Sequence, residues 1–175
     1  MVIEACEYRN AFLNYKPDIA IITNIDPDHL DFFKTEEAYY ASFERFMAQS
    51  RCVVMLGEEY SRFRARMKNV GDENTLVLIH SDTFEVIGAD FGVLVAGTYT
   101  FSLPELLVPG GHIRLDASLA YVTSQLLEID PDIAKESLKK YPGSWRRMEV
   151  IKKTNNNNLL ISDYGHHPTE IIATL

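Results

Sequence analysis

The sequence predicts an α/β fold, a mostly parallel sheet flanked by helices with a small antiparallel β addition, and three observations predict it. The runs DIAIIT at 18–23, RCVVML at 51–56 and TLVLIH at 75–80 are near-continuous and apolar, the pattern of strands buried on both faces of a parallel sheet. Charged segments of helical length separate them, and strands alternating with helices build βαβ units. From Thr83 to Phe101 the pattern changes. FEVIGAD and GVLVAGTYTF are short, β-rich and broken by Gly and Asp, which predicts an antiparallel meander.

Taken in order, Val2–Glu7 reads as a strand already under way, and Asp18–Thr23 as the next strand. Thr35–Gln49 reads as a helix with Thr35 as N-cap and Ala38, Phe43, Phe46 and Met47 on one face. Arg51–Leu56 is a strand, Glu58–Lys68 a charged helix and Thr75–His80 a strand. Pro109-Gly110-Gly111 then breaks the chain ahead of a helix over Ile113–Leu127. Asp130 is an N-cap and Pro131 suits the first position of a helix ending at Tyr141. Pro142-Gly143 is the expected domain boundary. Beyond it, Met148–Lys152 and Leu159–Asp163 flank four asparagines, Asn155–Asn158, which predicts a hairpin. DYGHHPTE opens a helix from Pro168. Two strands and one helix start do not close a core, so the chain is expected to be a piece of a longer protein.

Composition excludes several classes. A chain that is 46% hydrophobic and 24% charged builds a core and is not compositionally disordered. A formal net charge of −8 argues against broad nucleic-acid binding, though not against a nucleotide, whose phosphates a few groups and a metal ion can carry. Two cysteines, Cys6 and Cys52, are too few for a disulfide framework and fit a reducing cytoplasm. No apolar run approaches the roughly 20 residues of a membrane span, and the start has no signal-peptide pattern. The oligomeric state is left open.

Chemistry-bearing residues cluster at a few places. Asp26-Pro27-Asp28-His29-Leu30-Asp31 directly follows a predicted buried strand, and ligands of parallel sheets bind at the carboxyl ends of strands. Carboxylates with one imidazole suit Mg²⁺ or Mn²⁺. The same spacing fits a helix N-terminus, where Asp caps and meets the dipole. Glu4, at the end of the first strand, would complete a metal site there, whereas acids at strand ends, Glu7 included, are more often simply solvated. Val108-Pro109-Gly110-Gly111-His112 precedes a helix, where backbone and dipole favour an anion; a turn before a helix explains it equally. Arg146-Arg147 is a guanidinium pair suited to phosphate or carboxylate, or a solvated basic pair. Asp163-Tyr164-Gly165-His166-His167-Pro168 joins a strand end to a helix start, and a capped helix with surface histidines is the plainer reading. His80 has no partner motif and reads as structural. No G-x-x-x-x-G-K-[ST] loop occurs in the chain.

The order of these motifs resembles the Mur ligase family. EACEYRNAFLNYKPDIAIITNIDPDHLDFF is similar to its central-domain pattern E-A-D-E-x…F…P-x-x-A-V-x-T-N-I-x-x-D-H-L-D, and VPGGHIRLDASLA to P-G-x-H-N-x-x-N-A-x-A-A. GSWRRMEVI resembles G-x-x-R-R-F-E, and SDYGHHPTEI resembles D-D-Y-[AG]-H-H-P-T-E-[IV], found in the family's L-alanine-adding and murein-tripeptide-adding branches. The resemblance implies a P-loop-NTPase-like central ATP-binding domain over 1–142 and, over 143–175, the first part of a Rossmann-like C-terminal, amino-acid-binding domain. It implies an ATP-dependent ligase of peptidoglycan synthesis that joins L-alanine to UDP-N-acetylmuramate through an acyl phosphate, with Mg²⁺ or Mn²⁺ as cofactor. The alternatives are a murein tripeptide ligase and a non-catalytic module derived from the family.

Residue by residue, the resemblance makes Glu4 and His29 metal ligands near the γ-phosphate, with Asn24 and Asp28 lining the same loop. It places His112 and Asp116 at the adenine, Asp163 at the ribose, and Tyr164, His166 and His167 at the incoming amino acid. His29, Arg147 and His166 carry the catalytic roles. The chain departs from the pattern at Cys6, where the family has an acid, and at Ile113 and Asp116, where it has asparagines. Ile113 offers a base edge no hydrogen bond and Asp116 offers acceptors without a donor. Without its phosphate loop, the chain alone is expected to be inactive.

Overall fold

A computed structural model describes residues 1–66, 74–89 and 91–175. These form two compact units, one of residues 1–101 with 126–128 and one of residues 102–125 with 129–175.

The first unit is built on a five-stranded sheet. Its strands are β1 (Ile19–Ile22), β2 (Cys52–Leu56), β3 (Thr75–Ile79), β4 (Thr83–Ile87) and β5 (Gly97–Thr100), in that spatial order. β1, β2 and β3 are parallel, with Ile19 opposite Cys52 and Cys52 opposite Thr75. β4 and β5 continue as an antiparallel meander, as the change of pattern after Thr83 predicts. β3 is buried along its whole length and β2 at all but its last residue, and burial pushes the Cys52 thiol up to about 12. β1 departs from the expectation of burial on both faces. Ala20 and Ile22 point into the core, but Ile21, on the opposite face of the sheet, is exposed.

Val2–Glu7 is not a strand. A strand exists through its ladder, and residues 1–7 take no regular structure. They lead into a 3-10 helix, Tyr8–Asn14, kinked where Arg9 and Asn10 adopt φ of 55° and 58°. The kink turns Phe12 into the core, where it stacks on Phe46 at 4.6 Å and meets Phe43 edge-on at 5.1 Å.

Three helices accompany the sheet: α1 (Leu30–Phe33), α2 (Glu36–Ala48) and α3 (Gly57–Arg64). Thr35 caps α2 by accepting the Ala38 N–H at 3.2 Å. The buried face of α2 is Tyr39, Tyr40, Phe43, Phe46 and Met47. Ala38, expected on that face, is exposed, because the two tyrosines set the stripe one position further on. α3 ends at Arg64; Met67 and Lys68 of the predicted helix lie outside the described residues.

The second unit holds α4 (Gly111–Leu126) for most of its length, α5 (Pro131–Lys140), the antiparallel hairpin of β6 (Glu149–Lys153) and β7 (Leu159–Ser162), and α6 (Pro168–Thr174). Asp130 caps α5 by accepting the N–H groups of Asp132 and Ile133 at 2.8 and 3.2 Å. The asparagine turn is made with Asn157 at φ 66°, a left-handed conformation that asparagine tolerates. No helix among the described residues is long and apolar enough to cross a membrane.

Candidate functional site

The parallel strands of the first unit all end at one rim. Beyond β1 the loop is anchored by Ile25, which is fully buried. Asp26 donates its N–H to Asn24 Oδ1 at 3.3 Å, and His29 donates its N–H to Asp28 Oδ1 at 2.6 Å. His29 takes a left-handed φ of 54° and its carbonyl starts α1 by accepting from Phe32 and Phe33. No side chain caps α1, so helix capping does not explain these aspartates. The strained backbone instead turns the His29 imidazole toward the chain start, with Nε2 3.5 Å from Glu7 Oε1 and 3.9 Å from Asp28 Oδ2. Its ring lies 4.8 Å from that of Tyr8. Tyr39, buried below, has its phenol raised by burial and then by the charges of Glu7, Asp28 and Asp26.

The acid beside His29 is Glu7, while Glu4 is exposed in the unstructured start. Sequence reasoning makes Glu4 the expected ligand and Glu7 more often solvated; the kink at Arg9 and Asn10, which no sequence pattern announces, stands between Glu7 and Phe12. Cis ligands of an octahedral Mg²⁺ at about 2.1 Å stand roughly 3 Å apart, so the Glu7–His29 and His29–Asp28 separations fit a shared cation after a small closure. Among the described residues no group of three or more His, Cys, Asp or Glu side chains is arranged to hold a metal ion. Mg²⁺ keeps several waters and is commonly bound through one or two carboxylates plus substrate phosphates, a mode in which Glu7 and Asp28 would be the carboxylates beside His29.

At the ends of the next two strands, the imidazole of His80 lies over Gly57, where an added Cβ would fall 2.3 Å from Cε1. His80 is otherwise exposed.

In the second unit the turn after β7 is organised by carboxylates. Asp163 Oδ1 accepts the Gly165 N–H at 2.7 Å and Oδ2 the Met148 N–H at 2.9 Å. Burial alone would raise the Asp163 carboxyl, but these donors and the charges of Arg147 and His112 outweigh it and hold it below its ordinary 3.8. Glu170 accepts the N–H groups of His166 and His167 at 3.0 and 3.4 Å, and His167 closes a capping box on α6. Burial opposes the ionised form of Glu170 as well; those N–H donors, with the His166 and Arg147 charges, lower it from 4.5.

Around this turn the side chains stack. The Tyr164 ring has the Arg146 guanidinium at 4.7 Å, that of Arg147 at 5.9 Å and the His166 ring at 5.2 Å. Arg146 sits at a left-handed φ of 56°, its N–H held by Glu149 Oε2 at 2.9 Å and its carbonyl by the Tyr164 N–H at 2.8 Å. At the start of α4, His112 folds onto Gly110, where a Cβ would meet Cε1 at 2.9 Å, and its Nδ1 is buried without a protein partner. The Asp116 carboxyl is raised by burial, against the pull of His112 and Arg147. The structure thus brings His112, Asp116, Arg147 and Asp163 within one another's field, beside Tyr164 and His166. Asn24 lies in the first unit, exposed on the loop after β1.

Four supporting residues were not singled out from sequence: Glu59, Arg62, Glu149 and Glu170. Glu59 and Arg62, three apart on a helix following a strand, carried a readable signal. Glu149 and Glu170 act through backbone N–H groups, and sequence gives little sign of that.

A parallel sheet with an acidic, imidazole-bearing loop at its rim defines the class. Residues 1–98 match the Mur ligase middle domain, and the chain belongs to the Mur ligase family. Among curated proteins it is similar to the UDP-N-acetylmuramate–L-alanine ligase of Arthrobacter sp. (strain FB24), 34% identical over 99% of this chain and 39% of that protein. It is likewise similar to the ligase of the same name from Paenarthrobacter aurescens (strain TC1), 36% identical over 99% of this chain and 40% of that protein. The chain therefore spans about two fifths of the length of these relatives. Its fold is shared with the UDP-N-acetylmuramate-alanine ligase MurC from Thermotoga maritima, with a TM-score of 0.62 at 23% identity over 94% of this chain and 38% of that one. It is also shared with a pseudomurein peptide ligase type C from Methanothermus fervidus, with a TM-score of 0.58 at 15% identity over 90% of this chain and 41% of that one.

Proposed function

We propose that this chain is part of a cytoplasmic, ATP-dependent ligase of peptidoglycan synthesis that joins L-alanine to UDP-N-acetylmuramate. The observation that carries the reading is the end-to-end match to relatives of that name, which takes in the loop after β1 and the turn after β7 alike. Residues 1–142 would serve as the central, ATP-binding domain and residues 143–175 as the start of the amino-acid-binding domain.

In the proposed reaction ATP phosphorylates the muramate carboxylate, and the amine of L-alanine attacks the acyl phosphate. ADP leaves in the first step, and the tetrahedral adduct then collapses to amide and phosphate. The protein's task is to neutralise phosphate charge while holding two reactants in line. Bound Mg²⁺ or Mn²⁺ would supply charge neutralisation at the γ-phosphate. His29 would hold it, together with an acid from the chain start, Glu4 by family pattern or Glu7 by its 3.5 Å approach. Asn24 and Asp28 would line the same loop. Arg147 would bind the anionic reactant, His112 and Asp116 the adenine, and Asp163 the ribose. Tyr164, His166 and His167 would receive the amino acid, with His166 placed to accept a proton from its ammonium.

The test is a graft of residues 1–175 into the matched segment of the Paenarthrobacter aurescens relative, assayed for L-alanine-dependent phosphate release and product mass. Turnover with L-alanine that is lost in His29→Ala is expected. A folded graft that uses only a murein tripeptide would replace L-alanine as the substrate, and one with no turnover would overturn the reading. Residues 1–175 alone are expected to be inactive, because the chain has no phosphate-binding loop of its own.

A further inference from the structure

The loop after β1 is held from an unexpected side. Glu59 and Arg62 lie on α3, which follows a different strand. Glu59 Oε2 accepts the N–H of Ile25 at 3.5 Å, and Arg62 Nη2 donates to Asp26 Oδ1 at 2.8 Å. A second arm of Arg62 reaches Glu59 Oε1 at 3.6 Å, and its guanidinium lies 4.7 Å from the buried Phe63 ring. The Glu59 side chain is 16% exposed and that of Asp26 26%, while Arg62 is half exposed, so Glu59 holds its Ile25 link partly shielded and the Arg62 links are open to solvent. Ile25 lies beyond the last ladder residue of β1 and is fully buried. Its N–H needs a partner, and Glu59 supplies it.

We propose that Glu59 and Arg62 are positioning residues that clamp the loop after β1 to α3 and so fix where Asp28 and His29 stand. Asp26 is separated from Asp28 only by Pro27, whose ring fixes φ. A clamp at Ile25 and Asp26 is therefore transmitted to His29 with little slack. Arg62 also occupies Asp26, which keeps that carboxylate out of the group facing His29 and leaves Glu7 and Asp28 there. This consequence rests on the reading of the loop as a metal and nucleotide loop; the clamp itself does not.

Amide hydrogen exchange on the full chain tests it. Arg62→Met is expected to speed exchange across residues 24–30 by about fivefold, with β3 unchanged and Arg62→Lys recovering most of the protection. Glu59→Ala is expected to speed the Ile25 amide by about tenfold. Asp26→Asn combined with Arg62→Met should be no faster than either alone. Unchanged exchange at residues 24–30, an equal rise in β3, or an additive double variant would each overturn the clamp. Mn²⁺ titration of the same proteins, followed by electron spin resonance, separates the two readings. Weaker Mn²⁺ binding in Arg62→Met supports the clamp's consequence. Absence of Mn²⁺ binding in the unaltered chain counts against the metal loop, while exchange still decides the clamp.

Discussion

Replacing Asp163 tests whether the turn after β7 is assembled by one carboxylate. Its two oxygens hold the N–H groups of Met148 and Gly165, at 2.9 and 2.7 Å. These come from either end of the hairpin, before β6 and after β7. Hydrogen bonds to charged groups contribute roughly 1.5–3 kcal/mol each when buried. Asp163 is partly open to solvent, which brings each nearer about 1 kcal/mol. Asp163→Ala is therefore expected to cost roughly 2 kcal/mol locally, and Asp163→Asn, which keeps one acceptor, about half of that. The amides of Met148 and Gly165 should exchange roughly 30-fold faster in the alanine variant. The chain's single tryptophan, Trp145, is exposed with the Arg146 guanidinium at 5.7 Å from its ring, so its emission intensity should change as that contact loosens. The sign of the pH dependence follows from the lowered carboxyl groups. Asp163 and Glu170 are held below 3.8 and 4.5, so their stabilisation is complete at neutral pH and is lost as pH falls from those values through the folded ones. Unchanged exchange at Met148 and Gly165 in Asp163→Ala, or a Trp145 signal flat from pH 6 to pH 3, would refute the reasoning.

Further outcomes are expected elsewhere. Phe12→Ala removes a ring only 2% exposed and stacked on Phe46, and should cost about 3–5 kcal/mol, read from the denaturant midpoint. Gly57→Ala sets the gain in helix propensity, about 1 kcal/mol, against a collision with the His80 ring at 2.3 Å; it should be near neutral alone and stabilising when combined with His80→Ala. In the native chain a thiol reagent at pH 8 should label Cys6, which is exposed, and spare Cys52, which is buried with its thiol pushed up to about 12; unfolding should release the second thiol.

How much was legible depends on how each feature is made. Apolar runs name strands because burial is written in residue type, so 51–56 and 75–80 are placed to within a residue, and the meander after Thr83 follows from Gly and Asp spacing. Caps are local, so Thr35 and Asp130 are equally legible. Val2–Glu7 fails because being a strand depends on a partner, and apolar character does not report one. The approach of Glu7, rather than Glu4, to His29 was not legible for a related reason. Both are acids three positions apart, and they are followed by a backbone kink at Arg9 and Asn10 that neither residue type predicts.

Electrostatics orders the steps at the first unit's rim. Acids and bases are equal in number in the second unit, so the whole formal charge of −8 belongs to the first. Glu7 and Asp28 stand beside His29 there, and their charges add to burial in raising the Tyr39 phenol. Arg62, the nearest guanidinium on α3, is already engaged by Asp26 and Glu59. A triphosphate approaching this rim without a cation meets uncompensated carboxylates, whereas a divalent cation meets a potential that attracts it. Under the proposed function, metal would therefore come before or with the nucleotide. Nucleotide binding measured by calorimetry should vanish in a chelator and return with Mg²⁺ or Mn²⁺, and Asp28→Asn should weaken metal binding while easing the residual repulsion of metal-free nucleotide. Metal-free ATP binding as tightly as its Mg²⁺ complex would mean that the carboxylates face away from the phosphates, and the loop after β1 would then need another role.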